Sequence, residues 1–133
     1  MTLAAGDILT PDLAVTLILA PFGTALGSVL RDRIVHVLRT RAGRADLGVL
    51  AANLTACAVV GLTAGHTAAA NTTHALVALG FAGGLSTWSS LAVEVAGALR
   101  ARRWRMVLLH IPAAFALALG VFLASRLLTR GAL

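Results

Sequence analysis

Four apolar stretches, each long enough to cross a lipid bilayer, occupy most of this 133-residue chain. They are residues 13–30, 47–64, 75–99 and 106–125. A transmembrane helix needs about 20 predominantly apolar residues. Only 12% of the residues are charged, roughly half the share that is usual in a soluble domain. We therefore predict an all-α membrane protein in which residues 1–133 form a single four-helix transmembrane domain surrounded by membrane lipid. No room is left for a soluble catalytic domain.

The chain ends and its cysteine add little to this prediction. The first eleven residues contain no basic residue, and the apolar run that follows them is too long for a cleavable secretion signal. The single cysteine, Cys57, lies inside the second predicted span, so no disulfide within the chain is expected.

The arginines predict one orientation in the membrane. All eleven basic residues are arginine. Nine of them flank the first and third connections between spans: Arg31, Arg33, Arg39, Arg41, Arg44, Arg100, Arg102, Arg103 and Arg105. Only Arg126 and Arg130 belong to the other side. Because cytoplasmic loops carry the excess of basic residues, we expect a multi-pass protein of the cell membrane with both termini outside. The arginines flank spans and form no basic patch with interleaved aromatic residues, so no nucleic-acid partner is expected.

The segment from Gly80 to Ser90 is unusual for the middle of a predicted span. It contains the adjacent glycines Gly83 and Gly84, followed by four hydroxyl side chains. Backbone that leaves the helix inside lipid must find other hydrogen-bond partners, and such backbone typically binds an ion or lines a polar path. We therefore predict a break in the third helix at the glycine pair and an ion-handling function. Close packing of helices through small residues is the alternative explanation.

The predicted spans also contain one amide, one carboxyl and one imidazole side chain. Asn53 must face protein or a water-filled cavity, and it serves either as a hydrogen bond between helices or as a pore group. Glu94 lies near the cytoplasmic end of its span, where pairing or snorkelling is expected. His110 is either a buried histidine with a partner, or a pore or proton-binding group. The sequence shows no pair of nucleophile and base, and we expect no enzymatic activity.

The first span ends with Gly23, Gly27, Ser28 and Arg31, and the second contains Asn53 and Gly61. This arrangement resembles the first two helices of the Fluc (CrcB-type) fluoride channels. The end of the first span is similar to the family motif Gly-x-x-x-Gly-Ala-x-x-Arg, through Gly23, Gly27, Ser28 and Arg31. Asn53 and Gly61 are similar to the Asn-x-x-Gly-x-Phe-x-x-Gly motif of the family's second helix.

The third span carries the most specific resemblance. Gly80 to Leu91 is similar to Gly-Phe-x-Gly-Gly-x-Thr-Thr-Phe-Ser-Thr-Phe, and Glu94 matches the glutamate that follows this motif in the family. The length of the chain and its number of spans also agree, so the resemblance covers the whole chain.

The resemblance implies a passive fluoride channel that exports cytoplasmic fluoride and lowers its toxicity. It implies an antiparallel dimer with two pores and one central sodium ion that is not transported. The sodium contacts fall on Gly84 and Thr87. The fluoride pore would include Asn53 as an amide donor, together with Trp88, Ser89 and Ser90, and Arg31 would lie in the vestibule.

The chain departs from the family pattern in the predicted pore. Leu91 stands where the family has the second of two phenylalanines, and Ala56 and Ala58 stand where glycine and phenylalanine are usual. From Met106 to Phe122, only His110 has a polar side chain. A second possibility is therefore a non-conducting subunit that completes a dimer and its sodium site. A small multidrug-type proton antiporter also has four short spans, but it needs an acid in its first helix, and residues 13–30 contain none.

The arginine bias bears on the kind of dimer. An antiparallel homodimer requires one sequence to insert in both orientations, and a distribution of nine to two opposes this. We therefore expect an antiparallel heterodimer with a paralogous subunit that inserts in the opposite orientation.

Overall fold

The computed structural model describes residues 11–43, 45–66 and 76–130. Within these ranges every regular element is helical. The elements are α1 (Pro11–Ala42), α2 (Ala45–His66), a π-helical segment (Leu76–Ala82), α3 (Gly83–Leu85), α4 (Trp88–Arg100) and α5 (Trp104–Arg130). Arg44, most of the predicted connection at residues 65–74 and both chain ends lie outside the described residues.

Three stretches of the described chain are long and apolar enough to cross a membrane. They are Asp46–Ala64, Leu76–Arg100 and Trp104–Thr129, and they overlap the second, third and fourth predicted spans. The first predicted span, residues 13–30, lies within α1.

Helix α1 is longer than the predicted first span. Its 32 residues extend about 48 Å at 1.5 Å per residue, whereas the apolar core of a bilayer is about 30 Å thick. The arginines that the sequence assigns to a loop, from Arg31 to Arg41, are therefore on the C-terminal part of this helix. The helix ends at Gly43, whose positive φ of 64° is the left-handed conformation that commonly ends helices.

Small residues allow the helices to approach one another closely. The buried cluster consists of Ala52, Ala56, Ala82 and Leu85, with Phe81 among the half-buried side chains packed against it. In membranes, small residues bring helix backbones together where lipid tails provide no hydrophobic driving force. At the crossing of α2 with α5, a Cβ atom added to Gly61 would lie 2.8 Å from Ser125 Cβ. This packing fixes α2 between α1 and α5 and leaves one face of it open to a groove.

Candidate ion pathway

Two residues with extended backbone separate α3 from α4. Ser86 has φ −74° and ψ 155°, and Thr87 has φ −148° and ψ 115°. The sequence analysis places the opening at Gly83 and Gly84, but both glycines are in α3. The opening lies at Ser86 and Thr87, so its predicted position at Gly83 and Gly84 was wrong.

Gly84 is needed for close contact with α1. A Cβ atom on Gly84 would lie 2.8 Å from Thr24 Cα, closer than real Cβ atoms come to other atoms. The Gly84 carbonyl accepts hydrogen bonds from Ser28 Oγ and from Arg31 Nη1, both at 3.4 Å. Arg31, predicted in a vestibule, thus places its guanidinium beside the carbonyl predicted to bind sodium.

Asn53 on α2 holds the backbone of Thr87. The Thr87 N–H donates to Asn53 Oδ1 at 2.8 Å, and Asn53 Nδ2 donates to the Thr87 carbonyl at 3.5 Å. These bonds satisfy backbone groups that have left the regular helix, as an apolar environment requires. A primary amide has two N–H donors, so one N–H of Asn53 remains beyond this pair of bonds.

The side chain of Thr87 begins α4. Its Oγ1 accepts from the Ser90 N–H at 3.2 Å, donates to Ser90 Oγ at 3.1 Å and lies 3.2 Å from Ser89 Oγ. Threonine is a favoured residue at this capping position. Thr87 is 7% exposed, and Ser89 and Ser90 lie in the first turn beyond it. The extended segment therefore leads directly into the positive N-terminal end of α4.

A groove of about 240 Å³ runs beside the extended segment. Its walls come from α2, α4 and α5 and from the segment itself. The lining residues are Asp46, Val49, Leu50, Asn53, Leu54, Cys57, Ser86, Thr87, Trp88, Leu91, Glu94, His110, Ala114, Phe115 and Ala118. Most of these residues are apolar, and the polar side chains form two groups in different parts of the groove. Asn53, Ser86 and Thr87 lie near the middle, and Asp46, Glu94 and His110 lie at the end where α2 and α5 begin.

An aromatic pair closes one side of the groove. The rings of Trp88 and Phe115 have centroids 5.9 Å apart and an interplanar angle of 61°. This is an edge-to-face arrangement, in which the partially positive edge of one ring meets the face of the other. Trp88 is 70% exposed and Phe115 is 51% exposed, so much of both rings remains accessible.

The structure brings only some of the predicted site residues together. Asn53, Thr87 and Trp88 line the groove. Ser89 and Ser90 adjoin it through Thr87, whereas Gly84 and Arg31 face α1. The sequence analysis did not predict Phe115 as a site residue. The helical spacing of His110, Ala114 and Ala118 could have indicated it, because these residues define the face of α5 on which Phe115 also lies.

Within the described ranges, no group of three or more His, Cys, Asp or Glu side chains is arranged to hold a metal ion. The candidate ligands near the extended segment are instead carbonyl and hydroxyl oxygens. Gly83 and Ser86 are exposed, and Ser86 Oγ donates to the Gly83 carbonyl at 3.3 Å.

Comparison with known proteins identifies the class of protein that this fold and groove define. Residues 18–126 match the family model described as CrcB-like protein, Camphor Resistance (CrcB). The chain belongs to this family, whose members are ion channels and not enzymes. It is a multi-pass membrane protein.

Curated relatives carry the name fluoride-specific ion channel. The chain is 45% identical over 62 residues to FluC 2 of Corynebacterium diphtheriae, a match that covers 47% of this chain and 57% of that protein. It is 36% identical over 92 residues to FluC 1 of Prochlorococcus marinus, covering 65% and 70% of the two chains. It is also 36% identical over 91 residues to FluC 2 of Rhodococcus jostii, covering 66% and 75%. No solved structure gives a significant match.

Proposed function

We propose that this chain is a subunit of a fluoride channel that lets fluoride leave the cytoplasm down its gradient and so lowers its toxicity. The observation that carries the proposal is the pair of hydrogen bonds by which Asn53 holds the extended backbone at Thr87, beside an open groove. The names of the curated relatives support the choice of fluoride as the ion.

The groove offers the chemistry that a small anion needs. Fluoride is strongly hydrated, so hydrogen-bond donors must replace its water as it enters a pore. The second N–H of Asn53 is such a donor, and its orientation is fixed by the bonds to Thr87. The N-terminal end of α4 adds partial positive charge, and the ring edges of Trp88 and Phe115 add more. Ser89 and Ser90, in the first turn of α4, supply further hydroxyl donors in this proposal.

We further propose a structural sodium ion beside the extended segment. A hard cation prefers oxygen ligands. The prediction from sequence is Gly84 and Thr87, but their carbonyls accept hydrogen bonds from Arg31 and Asn53 within the chain. The oxygens of Gly83 and Ser86 are on exposed residues. Exposure, and not a free carbonyl, therefore favours Gly83 and Ser86 over the buried Gly84 and Thr87 for sharing a cation with a second subunit, since the Gly83 carbonyl also accepts from Ser86 Oγ.

Ser86, the exposed residue of the extended segment, supports assembly with a partner. Irregular backbone is tolerated at membrane depth only where protein or a water-filled cavity covers it. We propose that the covering subunit is antiparallel and is an oppositely oriented paralogue, because nine of the eleven arginines lie on one side of this chain. In this arrangement the protein lies in the cell membrane with both termini outside.

A non-conducting partner subunit is the second candidate. The groove wall from α5 has His110 and Phe115 but otherwise only alanines, and Leu91 faces the groove from α4. In this case the chain completes a dimer whose other pore conducts.

Growth of cells in fluoride tests the proposal. A bacterial strain that lacks its own fluoride export is given this chain, a paralogue encoded near it, or both. Restored growth with this chain present, and loss of that growth in Asn53→Leu, support a conducting subunit. Restored growth that survives Asn53→Leu supports the non-conducting partner. No protection by any combination contradicts both.

A further inference from the structure

We propose that the turn between α4 and α5 binds the phosphates of anionic lipid headgroups at one surface of the membrane. The turn consists of residues 101–103, which separate the two helices. Four arginines belong to it or flank it: Arg100, Arg102, Arg103 and Arg105. This inference concerns a lipid contact and does not depend on which ion the protein conducts.

The short connection between two spans keeps these arginines at the membrane surface. The span Leu76–Arg100 ends where the turn begins, and the span Trp104–Thr129 begins where the turn ends. Three residues reach about 10 Å at most, so the turn cannot carry its arginines far from the bilayer. Trp104 is 58% exposed, and tryptophan is enriched at the level of the headgroups. The guanidinium groups of the turn therefore lie in the layer that contains the lipid phosphates.

The positive charge of this turn is not neutralised within the described part of the chain. All four arginines are exposed, and none of them forms a side-chain hydrogen bond or an ion pair with another described residue. Arg103 and Arg105 also stand at the beginning of α5, whose first turn has no acidic residue. The positive end of a helix dipole disfavours basic side chains at this position. Phosphates from the lipid would offset this charge.

The backbone of the turn has an arginine where glycine is usual. The Arg103 N–H donates to the Ala98 carbonyl at 2.9 Å. The Arg102 N–H donates to the Leu99 carbonyl at 3.0 Å. This pair of bonds ends many helices, and the residue in the position of Arg102 is most often glycine.

Arg102 has a positive φ of 54°, a conformation that is costly for a residue with a Cβ atom. Glycine would avoid this cost, so the geometry of the turn does not explain an arginine here. A contact with phosphate gives the side chain a function that glycine cannot provide, because the planar guanidinium group matches the oxygens of a phosphate.

The experiment measures the melting temperature of the assembled protein in a neutral detergent as phosphatidylglycerol or phosphatidylcholine is added. We expect phosphatidylglycerol to raise the melting temperature at a concentration about tenfold lower than phosphatidylcholine, since each basic residue contributes roughly fivefold to the binding of anionic lipid. The triple variant Arg100→Gln/Arg103→Gln/Arg105→Gln should lose this preference. Lysine at the same three positions keeps the charge and should keep most of the preference.

The matched control is Arg33→Gln/Arg39→Gln/Arg41→Gln, which removes the same charge from exposed positions of α1, outside the turn. It should keep the preference for phosphatidylglycerol. Each glutamine triple leaves six of the nine arginines on this side, so the orientation of the chain should not change. Equal loss in the two triples would overturn the site, and so would an equal effect of the two lipids. An equal rise with inorganic phosphate would overturn the assignment to lipid.

Arg102→Gly separates the backbone of the turn from its charge. Glycine adopts a positive φ freely, so this variant should melt at a higher temperature without added lipid. It should also need roughly fivefold more phosphatidylglycerol for the same rise in melting temperature. A lower melting temperature without lipid, or an unchanged response to phosphatidylglycerol, would contradict the role given to Arg102.

Discussion

Asn53 on α2 holds Thr87, 34 positions later in the chain, by both its backbone N–H and its backbone carbonyl, at 2.8 and 3.5 Å. The same threonine caps α4 with its side chain. Thr87 thus connects Asn53 in the wall of the groove, the extended segment and the first turn of α4. The shape of the proposed pathway at its centre depends on this contact.

Replacing Asn53 with leucine should lower both stability and fluoride flux. The Thr87 N–H and carbonyl lose their partner, at a cost of about 1–3 kcal/mol for an unsatisfied buried group. Thermal unfolding in detergent and fluoride efflux measure the two effects. Thr55→Val is the matched control, because Thr55 is exposed on the same helix and its hydroxyl donates to the Ala51 carbonyl within that helix.

A second substitution separates the two roles of Asn53. Asn53→Asp keeps an acceptor for the Thr87 N–H but removes the amide donors and adds negative charge. Flux should fall more strongly than stability does. Wild-type flux in Asn53→Asp would mean that Asn53 only joins the two helices.

Substitution by alanine should affect protein stability differently at the adjacent glycines Gly83 and Gly84. A Cβ atom on Gly84 meets Thr24 Cα at 2.8 Å, whereas a Cβ atom on Gly83 has only the Ala78 carbonyl, at 3.8 Å. Gly84→Ala should lower the free energy of unfolding by about 1–3 kcal/mol, the usual effect of overpacking. Gly83→Ala should fold normally.

The proposed subunit contact gives Gly83 a separate test. Gly83→Leu should weaken the dimer, which cross-linking in membranes measures, while helix content stays the same. Equal stability of Gly83→Ala and Gly84→Ala would contradict the packing that we describe, and an intact dimer in Gly83→Leu would contradict the proposed contact.

The sequence could predict that the chain is all-helical and that the segment from Gly80 to Ser90 is unusual. It could not predict the backbone geometry of that segment. Long apolar runs in lipid favour the helix, because a helix satisfies its own backbone hydrogen bonds. The Gly-Gly pair makes the third span unusual in composition, but both glycines are in α3. The position of the extended residues depends on a tertiary contact: Gly84 is held in α3 against Thr24, and Asn53 draws the backbone out at Thr87. Contacts between residues 34 positions apart have no local pattern in the sequence.

The pairing of Trp88 with Phe115 is a second feature that depends on tertiary structure. Trp88→Leu and Phe115→Leu should each reduce fluoride flux, because each removes an aromatic edge from the groove. In a double-mutant cycle on stability, the two changes should couple by about 0.5–1.5 kcal/mol. Phe22→Leu serves as the control, since Phe22 is 68% exposed on α1 and outside the groove. Strictly additive effects would mean that the ring contact contributes nothing.

The arginine distribution predicts a single orientation in cells. A tag after Leu133 should be accessible from outside in nearly every copy, because nine of the eleven arginines favour the cytoplasmic side at the opposite ends of the helices. Replacing all nine of these arginines with glutamine should remove the bias and produce a mixture of orientations. Equal inside and outside labelling of the unaltered chain would remove the argument for an oppositely oriented paralogue.

Ion efflux from vesicles tests the central claim most directly. Vesicles loaded with fluoride or with chloride, and containing this chain together with its paralogous partner, are compared under the same gradient. We predict rapid efflux of fluoride, little efflux of chloride, and loss of the fluoride signal when Asn53→Leu is introduced into this chain. Fluoride efflux no faster than from protein-free vesicles, or equal efflux of chloride, would contradict the claim that this chain forms a fluoride pathway.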